Sequence, residues 1–158
     1  MRLTKPSRLR ARPGFSIMEM LIVVILVGII MSVAGLKMTG MMTQQRVIRA
    51  ASTIQTDMET AFAVAGRNRA PMKIVFSTSA SSILLQVTDR TGATVYRRSD
   101  LKTMGMSNGD VTTSSAAVTV FPNGFASDTL SVLISVTRNG KLYQRRVRMS
   151  RAGMVKVI

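Results

Sequence analysis

The chain lacks cysteine and histidine altogether. Without cysteine there is no disulfide to staple the fold and no thiolate to ligate a metal. Without histidine the commonest general base and metal ligand is missing. Acidic residues are scarce, seven against 22 lysines and arginines, for a net charge of +15. After Glu19 the acids are Asp57, Glu59, Asp89, Asp100, Asp110 and Asp128, scattered along the chain. Only Asp57 and Glu59 are close in sequence, and they read as solvated positions on a helix. Serines are plentiful but have no histidine to activate them, and no glycine loop of the phosphate-binding kind is present. These absences argue against an enzyme and imply no cofactor and no metal. Proline is also missing between Pro13 and Pro71, so nothing there must break a helix.

What is present begins with Gly14-Phe15-Ser16-Ile17-Met18-Glu19, followed by an apolar run from Met20 to Leu36 in which Ser32 is the one polar residue. With Phe15 to Glu19 in front, the run is long enough to cross a bilayer, which needs ~20 mostly apolar residues. Ahead of it lie Arg2, Lys5, Arg8, Arg10 and Arg12. Positive charge before a first apolar segment holds that end in the cytoplasm, so the remainder is expected outside the inner membrane. The leader carries five of the positive charges, and the rest of the chain keeps +10. That excess favours an anionic partner: nucleic acid, lipid headgroups or an acidic protein. Glu19 is out of place, because a carboxylate at the centre of a membrane helix costs ~2.5–3.5 kcal/mol. No lysine or arginine lies between Gly14 and Lys37, so a partner from another chain or a newly made amino terminus is the natural candidate; the plainer reading is an interfacial Glu19 that snorkels to the headgroups.

A glycine, an aromatic residue and a glutamate at fixed offsets from a long apolar run resemble the class 3 prepilin signal of type IV pilins and type II secretion pseudopilins. The resemblance implies that a prepilin peptidase cuts after Gly14 and methylates the new amino terminus at Phe15. Glu19 then pairs with the amino terminus of a neighbouring subunit, and the apolar helix is stored in the membrane before it packs in a fibre. Two other readings stand beside this one. An ordinary secretory signal would be cut after Ser32-Val33-Ala34, and a plain single-span anchor would not be cut at all.

Downstream, helix is expected from Phe15 to about Ala65, with Gly66 as the stop. Val47, Ala51, Ile54, Met58, Ala61/Phe62 and Ala65 recur at intervals of three and four, one apolar stripe on a polar helix. From Met72 the period becomes two. Strands are expected at 72–76, 82–88, 93–98, 116–121, 129–138, 141–150 and 154–158, with a long loop, and room for one short strand, over 101–115. Thr91-Gly92 and Asn139-Gly140 read as hairpin turns, the second of type I′. Pairing Arg138 with Lys141 sets Val136, Ile134, Val132 and Leu130 opposite Tyr143, Arg145, Val147 and Met149. That face is apolar except for Arg145 and would seat the helix stripe. The expected fold class is α+β: a pilin-like roll with a long N-terminal helix packed on a mostly antiparallel sheet. The expected segments are a leader at 1–14, a transmembrane and filament-core helix at 15–38, an amphipathic helix at 39–66 and a sheet domain at 67–158.

Phe121-Pro122-Asn123-Gly124 ahead of two paired strands, then Ser150-Arg151-Ala152-Gly153 and a last short strand, resembles the GspH/FimT domain. The resemblance implies a minor pseudopilin at or near the tip of a type II secretion pseudopilus, single-pass in the inner membrane with its sheet domain in the periplasm. Its partners would be other pseudopilins or pilins and the prepilin peptidase, and an ATPase outside this chain would drive it. The alternative is a FimT-like minor type IV pilin that binds DNA during uptake. Arg145, Arg146, Arg148, Arg151 and Lys156 are the residues that could hold DNA. Strand residues two apart are ~6.6 Å apart, near the spacing of successive phosphates on one strand, and such contacts need no base readout. Against this, Gly153 is followed by Met154, Val155 and Lys156 rather than by the arginine pair of the uptake proteins. Few aromatics accompany the cluster, and a solvated sheet face whose charges discourage edge pairing would look the same.

Overall fold

The computed structural model describes residues 14–158, and the side chains of residues 33–38 lie outside that description. Most of the leader, the Ser32-Val33-Ala34 junction and the end of the apolar run at Leu36 therefore fall wholly or partly outside it. The chain divides into two compact units, one through Met38 and one from Thr39 to Ile158.

The described part of the first unit is helical from Ile17 onward. Helix α1 spans Ile17–Asn68, and its first turn closes on the Ser16 carbonyl, which accepts from the amides of Glu19 and Met20 at 3.0 and 3.2 Å. Glu19 therefore lies in the first turn, where the exposed N–H groups and the helix dipole favour a negative charge. The pattern Ser16-x-x-Glu19 is that of a capping box. Every large apolar residue of this unit whose side chain is described, from Phe15 to Met31, is exposed. Among the described residues no helix is long and apolar enough to cross a membrane. The described apolar side chains stop at Ser32, short of the ~20 residues a bilayer needs.

The second unit holds the core. Along α1 the buried apolar residues are Val47, Ala50, Ala51, Ile54, Met58, Ala61, Val64 and Ala65, with Phe62 half-buried. This is the expected stripe, widened by Ala50 and Val64. The helix continues three residues past Ala65. Gly66 is inside it, and the stop is a Schellman motif in which the Arg69 amide donates to the Gly66 carbonyl and the Ala70 amide to the Ala65 carbonyl. Arg69 takes the left-handed conformation at φ 51°.

Eight strands follow: β1 Met72–Thr78, β2 Ile83–Asp89, β3 Val95–Asp100, β4 Val111–Thr113, β5 Ala117–Val120, β6 Leu130–Arg138, β7 Lys141–Met149 and β8 Val155–Val157. They form two antiparallel sheets, ordered β3-β2-β1-β5 and β4-β6-β7-β8. The buried residues of both sheets join the helix stripe in one cluster. The single sheet expected from periodicity is thus two, because alternation specifies a strand's faces and not which strands are neighbours. The 101–115 segment is more ordered than a loop. A 3-10 helix at Leu101–Met104 is capped by the Asp100 carboxylate, and Leu101 and Met106 are buried.

The β6–β7 register is the expected one, from Arg138 opposite Lys141 to Leu130 opposite Met149. Asn139 and Gly140 both have positive φ, 51° and 73°, as a type I′ turn requires. The β2–β3 turn is longer than Thr91-Gly92 alone. The Asp89 amide bonds the Thr94 carbonyl at 3.0 Å, and the Asp89 carboxylate accepts from Thr91 Oγ1 at 2.7 Å and from the Thr94 amide.

Asp57 is a correction. It is fully buried, not solvated, and its Oδ1 accepts from Arg97 Nε of β3 in an ion pair. Its other oxygen has no hydrogen-bond partner. Ala50, Asp57 and Val64 fall seven residues apart, so the helix turns Asp57 onto the apolar stripe. Glu59, by contrast, is exposed and accepts from Gln55 at 2.8 Å.

Candidate functional site

Two places carry the residues singled out in sequence. At the amino end, Gly14 precedes the helix, Phe15 is 80% exposed and Glu19 is exposed in the first turn. Among the described residues Glu19 has no ion-pair partner. Glu19 is one turn into the helix and Phe15 just ahead of it, so a carboxylate and an aromatic ring are both open to another molecule.

At the carboxy end the basic cluster divides. Alternation along β7 places Arg145 on the helix-facing side, opposite Ile134. It lines a groove against α1 with Ile48, Ala51, Gln55 and Val157. Arg146 and Arg148 point the other way, opposite Leu133 and Ser131, and Lys156 of β8 is directly across from Arg148. Ile158 is level with Arg146, since each amide bonds the other's carbonyl at 2.8–2.9 Å. All three cations are exposed. Like charges directly opposite on a sheet repel, so Arg148 and Lys156 are an arrangement that an anion would relieve.

Arg151 is spoken for. It sits in the β7–β8 turn and pairs with Asp128 at 3.1 Å. The Thr129 amide, and then Arg151, hold the Asp128 carboxyl below its ordinary pKa. Five basic residues close in sequence therefore become one arginine on the helix side of the strand, itself exposed, one paired arginine and an outward triad of Arg146, Arg148 and Lys156. Among the described residues no group of three or more metal-ligating side chains exists.

The turn itself is built on glycine. Gly153 has φ +76°, and a Cβ there would meet the Gly124 carbonyl oxygen at 2.4 Å and the Phe62 ring at 3.2 Å. The Ala126 amide donates to the Arg151 carbonyl at 2.8 Å. The Phe121–Gly124 stretch and the final turn, separate in sequence, thus lean on each other beside the helix. Sequence reasoning paired neither this contact nor Asp57 with Arg97. The only local signal for the latter was the heptad position of Asp57.

With this geometry in hand the fold can be placed. Two crystal structures of the type IV minor pilin FimU of Pseudomonas aeruginosa are similar to this chain. One gives a TM-score of 0.54 at 17% identity, covering 73% of this chain and 90% of FimU. The other gives 0.51 at 18%, covering 70% and 90%. No family model matches the sequence, and no curated protein matches it either. The chain has a type IV pilin-like fold: a long N-terminal helix on antiparallel sheet, α+β as in FimU.

Proposed function

We propose that this chain is a minor subunit of a pilin-type fibre, made as a precursor, held in the inner membrane by the start of α1 and assembled through that same segment. The observation that carries the reading is the exposed Phe15–Glu19 start, with no ion-pair partner for Glu19 among the described residues, on a helix whose described apolar residues are exposed throughout its first unit. A helix apolar all round needs lipid or other helices around it. Processing after Gly14 would expose Phe15 as a charged amine. A neighbouring subunit's amine then neutralises Glu19 as the two helices pack. The fibre we infer is a type II secretion pseudopilus, with the subunit at or near its tip. The final turn lacks the arginine pair of the uptake pilins, and only three cations share one face.

The test is the amino-terminal sequence and mass of the protein recovered from membranes of cells containing a prepilin peptidase. The expected product starts at N-methylated Phe15, and Glu19→Ala is expected to stay in the membrane and be lost from fibres. A product starting at Met1 or Gly35, or fibres that take up Glu19→Ala as readily as the parent, would overturn the proposal.

A second reading has one specific observation behind it: Arg146, Arg148 and Lys156 on one exposed face. Such a triad suits the phosphate backbone of DNA, as in the FimT-like role. Neutralising about three phosphates gives a log–log salt slope near −3 for duplex DNA. Arg146→Ala/Arg148→Ala should remove most of that slope. Absence of any DNA retardation at low salt would end this reading.

A further inference from the structure

Strand β7 is only half covered. On its far side from β6, β8 pairs with residues 147–149, and Ile158 extends that pairing to Arg146 with two more bonds. Beyond Arg146 no described residue pairs with this edge. Because Arg138–Lys141 closes a two-residue turn, odd-numbered residues of β7 direct their backbone groups to β6 and even-numbered ones away from it. The reciprocal Arg146–Ile158 bonds agree with this parity. Leu142 and Gln144 therefore present two N–H donors and two carbonyl acceptors, and among the described residues these make no hydrogen bond outside the β6–β7 hairpin.

This open edge borders a groove. Gln44, Val47 and Ile48 of α1 form one wall, and Tyr143 and Arg145 of β7 form the other. The groove continues past Arg145 to Ala51, Gln55 and Val157. Tyr143 comes so close to the helix that a Cβ at Gly40 would meet its hydroxyl at 2.7 Å. The floor is partly apolar, the polar lining is neutral or positive, and no carboxylate lines the groove. Lys141 and Arg145 supply its charge.

We infer that this edge receives an extended segment of a different, acidic protein, which pairs with Leu142 and Gln144 as a continuation of the line of β8. Strand addition of this kind takes affinity from main-chain hydrogen bonds and specificity from alternate side chains. The register assigns them. The incoming residue opposite Arg145 faces inward and is acidic. The one opposite Tyr143 faces inward and is apolar, seated against Val47 and Ile48. A second copy of this chain is a poor occupant, because its net charge of +15 and its basic β8 repel the groove. The inference does not depend on the fibre assignment, since it uses only residues of the second unit.

The experiment is amide hydrogen exchange on the full chain in detergent micelles, with short synthetic peptides repeating Val-Ser-Glu-Ser or Val-Ser-Lys-Ser as probes, so that valine alternates with glutamate or lysine on the inward face. The acidic peptide at about ten times its Kd should slow exchange at Leu142 and Gln144 about tenfold, while the basic peptide does nothing. Arg145→Glu should reverse the preference. Leu142→Pro removes an outward N–H without touching the β6 ladder and should abolish protection, whereas Leu142→Ala should keep it. Equal effects of the two peptides, no effect of either, or protection that rises with protein concentration alone would each overturn the inference. The second of these outcomes would leave Lys141 and Arg145 as charges that merely discourage pairing, and the third would mean self-association.

Discussion

The two parts of helix α1 obey different rules although they belong to one continuous element. From Ile17 to Met31 the described large apolar side chains are exposed on every side. From Thr43 to Ala65 one stripe is buried and the opposite side is polar. The later part is solved by its own chain, since two sheets cover its stripe. Among the described residues nothing covers the earlier part. A helix's surroundings are thus written in how far its apolar residues spread around the axis.

Substitutions can break or sharpen this contrast. The largest effect is expected at Ile54, fully buried in the stripe. Ile54→Ala should cost about 3–4 kcal/mol in urea unfolding of the full chain in micelles. Ile25→Ala in the exposed part should change the same transition by less than about 0.5 kcal/mol, while weakening recovery in membranes. Equal effects at the two sites would erase the distinction. Next is the ion pair between the buried Asp57 and the half-exposed Arg97. Arg97→Ala strands the Asp57 carboxylate and should cost about 3 kcal/mol, and adding Asp57→Ala should restore much of the loss. Additive losses in the double variant would show that the pair is not coupled.

Smaller effects are expected at the chain reversals. Gly153→Ala meets the Gly124 carbonyl as well as a left-handed φ, so about 2–3 kcal/mol should be lost. Gly140→Ala has open space around it and should lose only the left-handed penalty of about 1 kcal/mol. Similar losses would mean that the contact between the two loops carries no weight. The smallest effect is a gain. Arg69→Gly relieves the left-handed arginine at the helix stop and should add about 0.5 kcal/mol, visible as a later urea midpoint. Asp128 adds a pH dependence: its carboxyl is held below the ordinary value of 3.8. Its contribution is present above that pH and fades as pH falls through the depressed folded value. Asp128→Asn should flatten that acid limb.

Much of the fold was legible because it is local. The helix stripe, the type I′ turn and the β6–β7 register each follow from spacing within a few residues. The parity of β7 was legible too, and it already separated Arg145 from Arg146 and Arg148. What escaped was non-local. Asp57 looked solvated because aspartate is seldom buried without a partner, and its partner lies forty residues away on β3. The helix stop was set at Gly66 by composition, whereas packing carried the helix on to Asn68 and forced Arg69 into a conformation that glycine would adopt more easily. The 101–115 loop hid a capped turn because its order comes from Asp100 and from two buried residues, Leu101 and Met106, not from periodicity.

By itself the sequence determined the periodic parts of this protein: a helix apolar all round that becomes one-sided, strands with an inner and an outer row, and a glutamate one turn into the first helix. These follow from 3.6- and 2-residue repeats, which any chain of this pattern must obey. Only the tertiary structure decided that the strands divide into two sheets, that Arg97 reaches Asp57, that Arg151 is held by Asp128 and that half of β7 is left open. Each of these joins residues far apart along the chain, where no local repeat constrains the partner and the packing of the whole core makes the choice.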